Sequence, residues 1–108
     1  MKVQATIEAL SALANEHRLA IYRLLVQAGP EGRAAGAIAD NLGMPASSLS
    51  FHLAHLNRAG LISQRRESRS LIYAADYAQM NALVGFLTEN CCGGASCAPV
   101  ADKRKKAS

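Results

Sequence analysis

Long apolar stretches are missing from this chain of 108 residues. Half of the residues are hydrophobic, yet no run approaches the roughly 18 apolar residues that a membrane-spanning helix needs. The N-terminal segment "MKVQATIEALSALANEHR" also lacks the apolar block of a signal peptide. The sequence therefore predicts a cytoplasmic protein with no membrane partner. A chain of this length forms a single domain around one core.

Cysteine is absent from the first 90 residues, and all three cysteines lie in the short segment "NCCGGASC" as Cys91, Cys92 and Cys97. Thiols stay reduced in the cytoplasm, and an odd number cannot all pair within one chain. A structural disulfide framework is therefore not expected. Metal binding or redox chemistry is the function that such a cluster favours.

Acidic residues are scarce in the stretch that holds half of the arginines. Arg58, Arg65, Arg66 and Arg69 lie within twelve positions, where Glu67 alone opposes them. Such a local concentration of positive charge is typical of a surface that binds a polyanion. The second basic stretch, "DKRKK", has no large apolar neighbour that could dock it. We therefore expect residues 1–97 to form the folded domain and residues 98–108 to form a disordered basic tail.

Apolar periodicity predicts helices over most of the chain. A first helix is expected over residues 3–14, and a second, capped by Asn15, runs to the "GPEG" turn. The segment "RAAGAIADNLG" predicts a short third helix, and a fourth begins near Pro45 and ends near Gly60. The segment "LISQRRESRSLIYA" predicts two short strands with a turn near Glu67 and Ser68. A last helix, capped by Asp76, is expected to end near residue 90.

This order, α-α-α-α-β-β-α, predicts a mainly helical α+β protein with a β-hairpin. The third and fourth helices are separated by the tight turn "NLGMP", which is the pattern of a helix-turn-helix motif. The second helix of such a motif reads DNA in the major groove. At about 100° per residue, Leu49, Leu53 and Leu56 share one side of this helix and belong to the core.

The other sides of the fourth helix carry the candidate DNA contacts. They are Ser47, Ser48, Ser50, Phe51, His52, His55 and Arg58. Serine hydroxyls suit base edges or phosphates, and Arg58 suits a phosphate. Phe51 either touches a thymine methyl group or packs against another part of this chain. His52 lies near the edge of the core, so a structural hydrogen bond is at least as well favoured for it as a DNA contact.

The segments "LANEHRLAIYRLLVQAG", "IADNLGMPASSLSFHLAHLNRAGLI" and "SQRRESRSLIYA" resemble successive signatures of the ArsR/SmtB repressors. The resemblance covers residues 4–90, and its most specific part is the pattern "SxxSFHLxxLxxAGLI". It implies a winged helix-turn-helix fold, a homodimer joined by the first and last helices, and double-stranded operator DNA as partner. It also implies that Arg65, Arg66 and Arg69 lie on a wing beside the DNA. Ser68 departs from the glycine that the family often has at the wing tip.

The resemblance also bears on the inducer. One branch of the family carries cysteines in the helix before the recognition helix, where this chain has "AAGAIADNLG". Zinc-sensing members use Asp and His pairs on the last helix, which here has no histidine. The segment "ENCCGGASC" resembles the site of the arsenic-responsive repressors, which carry cysteines at the end of the last helix. The resemblance thus implies that Cys91, Cys92 and Cys97 are ligands for trivalent arsenic in the form of arsenite. Antimonite and methylarsenite are the alternative inducers.

The chemistry of the cysteine segment agrees with that assignment. Trivalent arsenic is soft and takes three ligands, whereas a structural zinc normally takes four. Adjacent residues diverge in a regular helix, but Gly93 and Gly94 permit a chain reversal that brings Cys97 back. A thiol redox sensor on the same fold is the alternative, in which a disulfide releases DNA. An enzyme is not expected, because no phosphate-cradling loop or positioned arginine accompanies any cysteine.

Overall fold

A computed structural model describes residues 1–94 of the protein. The elements in chain order are α1 (Val3–Leu13), α2 (Glu16–Ala28), β1 (Arg33–Ala34), α3 (Ala35–Leu42), α4 (Ala46–Arg58), β2 (Ile62–Glu67), β3 (Ser70–Ala75) and α5 (Tyr77–Leu87). A short turn, Cys91–Gly94, with non-helical backbone angles at Cys92 and Gly93, follows α5. The arrangement confirms the predicted winged helix-turn-helix fold. The predicted basic tail and Cys97 lie outside the described residues.

The sheet contains one strand that the predicted order lacked. Its three strands are antiparallel in the order β1-β3-β2, and Arg33 of β1 pairs with Tyr73 of β3. Two residues are too few for any alternation to be read from the sequence, so β1 had been assigned to the third helix. The turn of the hairpin is also one residue later than predicted, because Glu67 pairs with Ser70 within the ladder.

The helix ends follow the local side chains. The carboxamide oxygen of Asn15 accepts hydrogen bonds from the backbone N–H groups of His17 (3.0 Å) and Arg18 (3.1 Å), which confirms the predicted cap of α2. The carboxylate of Asp76 accepts a hydrogen bond from the N–H of Gln79 (3.0 Å) at the start of α5. That last helix is three residues shorter than predicted, since Asn90 adopts a positive φ of 58° after the helix has ended at Leu87.

The core lies where α4 packs against the helices before it and the start of the hairpin. Its largest fully buried side chains are Ile21, Leu25, Ile38, Leu49, Leu56 and Leu61. Leu53 is also buried, so the predicted core side of α4 is confirmed. The side chains of the first helix that are fully buried are small, namely Thr6, Ala9 and Ala12. Of its larger apolar residues, Leu13 packs against the core, whereas Val3, Ile7 and Leu10 are exposed.

Gly32 occupies a buried position in the loop before β1. Its φ is +70°, and a Cβ atom built there would overlap the backbone carbonyl oxygen of Tyr73 in β3. Any side chain at this position would thus have to displace β3 as well as adopt an unfavourable backbone conformation.

We predict that Gly32→Ala lowers the free energy of unfolding by about 2 kcal/mol or more, for both reasons. Gly36→Ala is the matched control, because Gly36 lies in α3 with open space around its Cβ position and should gain up to about 1 kcal/mol. Urea denaturation followed by circular dichroism measures both values. Equal effects of the two substitutions would contradict the described approach of Gly32 to β3.

Candidate nucleic-acid interface

The recognition helix α4 is held by its buried leucines and presents its other sides to solvent. Ser47, Ser48, Ser50 and Arg58 are all exposed. The helix contains no acidic residue, and its last turn carries His55 and Arg58. These exposed groups are hydrogen-bond donors and acceptors on a surface of zero or positive charge, which suits contact with DNA.

Phe51 is the most exposed large apolar side chain of the described residues, with 65% of its surface accessible. Its ring meets the ring of His52 in an edge-on arrangement, with 5.6 Å between the centroids. Of the two alternatives for Phe51, burial within its own chain is therefore not seen in residues 1–94. Contact of Phe51 with a base remains a prediction.

His52 is half-buried at the junction of α4 with the start of α2. Its Nδ1 atom lies 3.5 Å from Nη1 of Arg18, and its ring centroid lies 5.6 Å from that of His17. Burial lowers the pKa of His52, and the positive charge of Arg18 and the rings of His17 and His55 lower it further. The structural hydrogen bond predicted as one alternative for His52 thus has Arg18 as its partner. Arg18 contacts Nδ1 of the His52 ring and not Nε2.

His55 lies on the side of α4 that faces α1. It lines an open groove of about 440 Å³ together with Gln4, Ile7, Glu8, Ser11, Arg58 and Ala59. Burial lowers the pKa of His55, and the charges of Arg18 and Arg58 act in the same direction. In both half-buried histidines of α4 the surroundings thus favour the neutral imidazole over the charged form.

The wing arginines divide into two kinds. Nε of Arg65 lies 2.7 Å from a carboxylate oxygen of Glu67, and its Nη atoms donate to the backbone carbonyls of Glu31 (2.7 Å) and Pro30 (3.3 Å). Arg65 thus braces the wing against the loop that follows α2. Arg66 and Arg69 are exposed and form no ion pair with any residue in the described part of the chain.

The wing tip is formed by a residue in the left-handed region. Ser68 has a φ of 56°, a conformation that glycine adopts more easily than serine. This is the position at which the resemblance led us to expect glycine. The hairpin nevertheless closes, and Arg69 follows directly at the tip.

The predicted cysteine site begins immediately after α5. Cys91 is half-buried with a free thiol, and Cys92 is exposed. Positive φ angles at Asn90 (58°), Cys92 (57°) and Gly93 (67°) take this segment out of helical geometry. Within residues 1–94 no three His, Cys, Asp or Glu side chains form a cluster that could hold a metal ion. The predicted site therefore depends on Cys97, which lies outside the described residues.

Two residues of the first turn of α2, His17 and Arg18, lie beside the recognition helix and were not among the predicted DNA contacts. In the sequence they belong to a separate helix, and only the packing of α2 against α4 brings them to this surface. The Asn15 cap fixes where α2 begins, but the sequence carried no signal for the position of α2 relative to α4.

We predict that Arg66→Ala and Arg69→Ala each lower the salt dependence of DNA binding by about one in the slope of log K against log salt concentration, because each removes a phosphate contact. Arg65→Ala should change the slope less, since its guanidinium is already bound to Glu67 and to the loop. Fluorescence anisotropy at several salt concentrations measures the slopes. An unchanged slope in both of the first two variants would show that the wing does not lie beside the DNA.

We predict that Phe51→Ala changes the free energy of unfolding by less than about 0.5 kcal/mol, because the ring is exposed. Specific DNA binding should weaken by about 1 kcal/mol, the scale of burying one methyl group. Replacing thymine by uracil at each site position identifies the methyl group concerned. At that position, replacing thymine by uracil should not weaken DNA binding by the Phe51→Ala variant any further. If the losses of affinity from the two changes add up, Phe51 does not contact the methyl group.

No helix in the described part of the chain is both long enough and apolar enough to span a bilayer. A profile of a helix-turn-helix domain family matches residues 13–65, from the end of α1 into β2. Nodulation protein NolR of Rhizobium meliloti is 36% identical over 80 residues, a match that covers 74% of this chain and 63% of NolR. The curated relative thus extends well beyond the matched part.

Solved structures agree with this match. Reduced HlyU from Vibrio cholerae superposes with a TM-score of 0.65 and 30% identity, covering 82% of this chain and 90% of HlyU. The homodimeric winged helix-turn-helix domain of Mb0332 from Mycobacterium bovis, described as a possible ArsR-family regulator, gives a TM-score of 0.65 and 34% identity over 82% of each chain. HlyU is named a transcriptional activator, and YgaV of Escherichia coli, 30% identical over 84% of this chain and 94% of YgaV, is named a helix-turn-helix transcriptional regulator. This chain belongs to the ArsR-like family of winged helix-turn-helix transcriptional regulators.

Proposed function

We propose that this protein is a homodimeric transcriptional repressor of an arsenic-resistance operon and leaves its operator when trivalent arsenic binds Cys91, Cys92 and Cys97. The observation that carries the proposal is the position of the cysteine segment. It follows directly on α5, which also exposes apolar side chains suited to a dimer interface. Inducer binding and DNA binding would then be linked through one helix.

The DNA-binding part is supported by the charge of the surface around α4. The recognition helix has no carboxylate, and the single acid of the wing, Glu67, is paired with Arg65. Arg58, Arg66 and Arg69 are exposed on the same stretch of chain. Exposed arginines of this kind supply the salt-dependent, sequence-independent part of DNA affinity, and the exposed serines supply hydrogen bonds to bases.

The homodimer is supported by apolar side chains that residues 1–94 leave exposed. On α1 the exposed surface is 61% for Val3, 53% for Ile7 and 41% for Leu10, and on α5 it is 54% for Val84 and 56% for Leu87. The two helices contact each other, so these side chains form neighbouring patches. Mb0332 is described as homodimeric. A symmetric pair would set two recognition helices about one turn of DNA apart.

The arsenic specificity is supported by the donor set. Three sulfur ligands satisfy trivalent arsenic, whereas a structural zinc site would need a fourth ligand. The C-terminal end of a helix carries partial negative charge, which disfavours thiolates. Arsenous acid is neutral and exchanges three hydroxyl groups for three thiols with release of three water molecules. The product is neutral too, so it places no negative charge at this end of α5.

The backbone at Cys91 and Cys92 departs from a regular helix. Side chains of adjacent residues in a regular helix diverge by about 100°. The positive φ angles at Asn90 and Cys92 remove that constraint. Leu87 of the exposed apolar patch lies one turn before these cysteines, so a rearrangement of the segment reaches the dimer interface directly. By linkage, DNA must then weaken arsenic binding by the same factor as arsenic weakens DNA binding.

A thiol redox sensor of the same fold is the second candidate. A disulfide within the cysteine segment would release DNA without any metalloid. The description of the Vibrio cholerae structure as reduced HlyU favours this candidate, because a redox state is specified for that relative. HlyU is also named a transcriptional activator, so a promoter-reporter assay tests the direction of regulation separately.

We predict that Cys97→Ser raises the arsenite concentration needed for DNA release by more than about tenfold, because one of three sulfur ligands is lost. Ser96→Ala, the matched control at the neighbouring position, should behave as the wild type. The measurement is a titration of a labelled duplex from the protein's own promoter, with a reducing agent present and zinc as a second titrant. Native mass spectrometry should show two chains per duplex.

The outcomes separate the two candidates. Wild-type protein that stays on DNA in saturating arsenite under reducing conditions would rule out arsenic as inducer. Release by oxidant alone, reversed by reductant and retained in Cys97→Ser, would identify the redox sensor with Cys91 and Cys92 as its pair. A monomethylated arsenical has only two exchangeable positions and should still act on Cys97→Ser.

A further inference from the structure

A single arginine connects the first helix, the second helix and the recognition helix. Arg18 lies in the first turn of α2 and is half-buried. Its Nε atom donates a hydrogen bond of 2.7 Å to the backbone carbonyl of Ala12, near the end of α1. Its Nη1 atom lies 3.5 Å from Nδ1 of His52 in α4. One guanidinium therefore contacts both the helix that carries the exposed apolar stripe and the helix proposed to read DNA.

The direction of the hydrogen bond follows from the chemistry of arginine. A guanidinium has only donors, so Nδ1 of His52 has to be the acceptor. A neutral imidazole that accepts at Nδ1 carries its proton on Nε2. The two ring nitrogens point in different directions, so Nε2 is directed away from Arg18 and is left for another partner.

We propose that Arg18 is a positioning residue for DNA recognition: it fixes His52 as the neutral tautomer with the proton on Nε2 and holds α4 in place against α1. This inference rests on the proposed DNA-binding function. In the bound state His52 then offers a neutral N–H donor, already oriented, to a phosphate oxygen or a base acceptor.

The surroundings of His52 favour the same protonation state. The charged and titratable groups that act on it are Arg18 and His17 from α2 and His55 from its own helix, and none of them is an acid. Together with burial they lower the pKa of His52. A protonated ring would direct an N–H group at the guanidinium and repel it, so loss of the neutral form breaks the contact.

The position of His52 suits a role at the DNA surface. It lines a small pocket at the turn between α3 and α4, together with Ser48 of the recognition helix and His17. Ser48 is exposed and His52 is half-buried. The backbone carbonyl of Ala12 belongs to α1, whose outer side is the proposed dimer surface. Arg18 thereby sets the recognition helix relative to the interface helix.

The first test needs no DNA and no substitution. Side-chain ¹⁵N spectra of the DNA-free wild-type protein near pH 7 distinguish the two neutral tautomers and the imidazolium. We expect His52 to carry its proton on Nε2 alone. A proton on Nδ1, or an imidazolium at this pH, would overturn the inference.

The second test compares two variants of α2 that lose the same charge. We expect Arg18→Met to weaken binding of the promoter duplex by about tenfold, the scale of a hydrogen bond to a charged group, and to raise the pH at which His52 titrates. Arg23→Met is the matched control, since Arg23 is exposed on the same helix and does not contact His52. Circular dichroism and gel filtration check folding and assembly of both proteins.

A double-mutant cycle separates positioning from general structure. In a His52→Ala background, Arg18→Met should cost much less DNA affinity than in the wild type. Equal losses in the two backgrounds, or equal affinities of Arg18→Met and Arg23→Met, would overturn the positioning role. If the wild type fails to bind the promoter duplex while its His52 carries the proton on Nε2, the proposed function fails and the assignment of the tautomer stands.

Discussion

The burial of one row of leucines on α4 is the constraint on which the rest of the structure depends. Leu49, Leu53 and Leu56 are almost completely buried among apolar side chains of α2 and α3. Burying side chains of this size contributes about 1.5–3 kcal/mol each. Because a helix is rigid, fixing one side fixes the directions of all others. The serines, Phe51 and Arg58 are exposed for that reason.

The charges around α4 are arranged by the same packing. The start of α2 brings His17 and Arg18 beside the recognition helix, and the sheet brings Arg65 to the loop after α2. Arginines that bind backbone carbonyls or a carboxylate stabilise positions within the fold, whereas Arg66 and Arg69 are exposed and bind no described carboxylate. Local sequence places Arg65, Arg66 and Arg69 in one basic stretch, but only their partners distinguish the arginine that braces the wing from those suited to phosphate.

The apolar surfaces outside the core form a second group. The first helix exposes Val3, Ile7 and Leu10, and α5 buries Leu83 while exposing Val84 and Leu87. In residues 1–94 of a single copy these side chains are exposed to water, and a second copy packed against them would bury that apolar surface. The cysteine segment follows α5 directly. A ligand that reorganises it therefore acts next to the surface on which assembly, and through it DNA affinity, would depend.

The sequence by itself determined the elements whose causes are local. Caps at Asn15 and Asp76, the 3.6-residue repeat of the helices and the turn before α4 all involve residues within a few positions of one another, so they could be predicted. The outward direction of Phe51 followed from the same periodicity. The segment of the three cysteines was also evident, since its composition differs from that of the whole preceding chain.

Tertiary structure decided what depends on partners distant in sequence. The short strand β1 exists because β3 offers it a backbone edge, and Arg65 is bound because a loop 34 positions away presents its carbonyls. The link from Ala12 through Arg18 to His52 joins three helices, so no periodicity within one helix reveals it. The physical reason is common to all three cases. Hydrogen bonds between remote segments form only after core packing has fixed the distance between those segments. A local sequence pattern does not predict that distance.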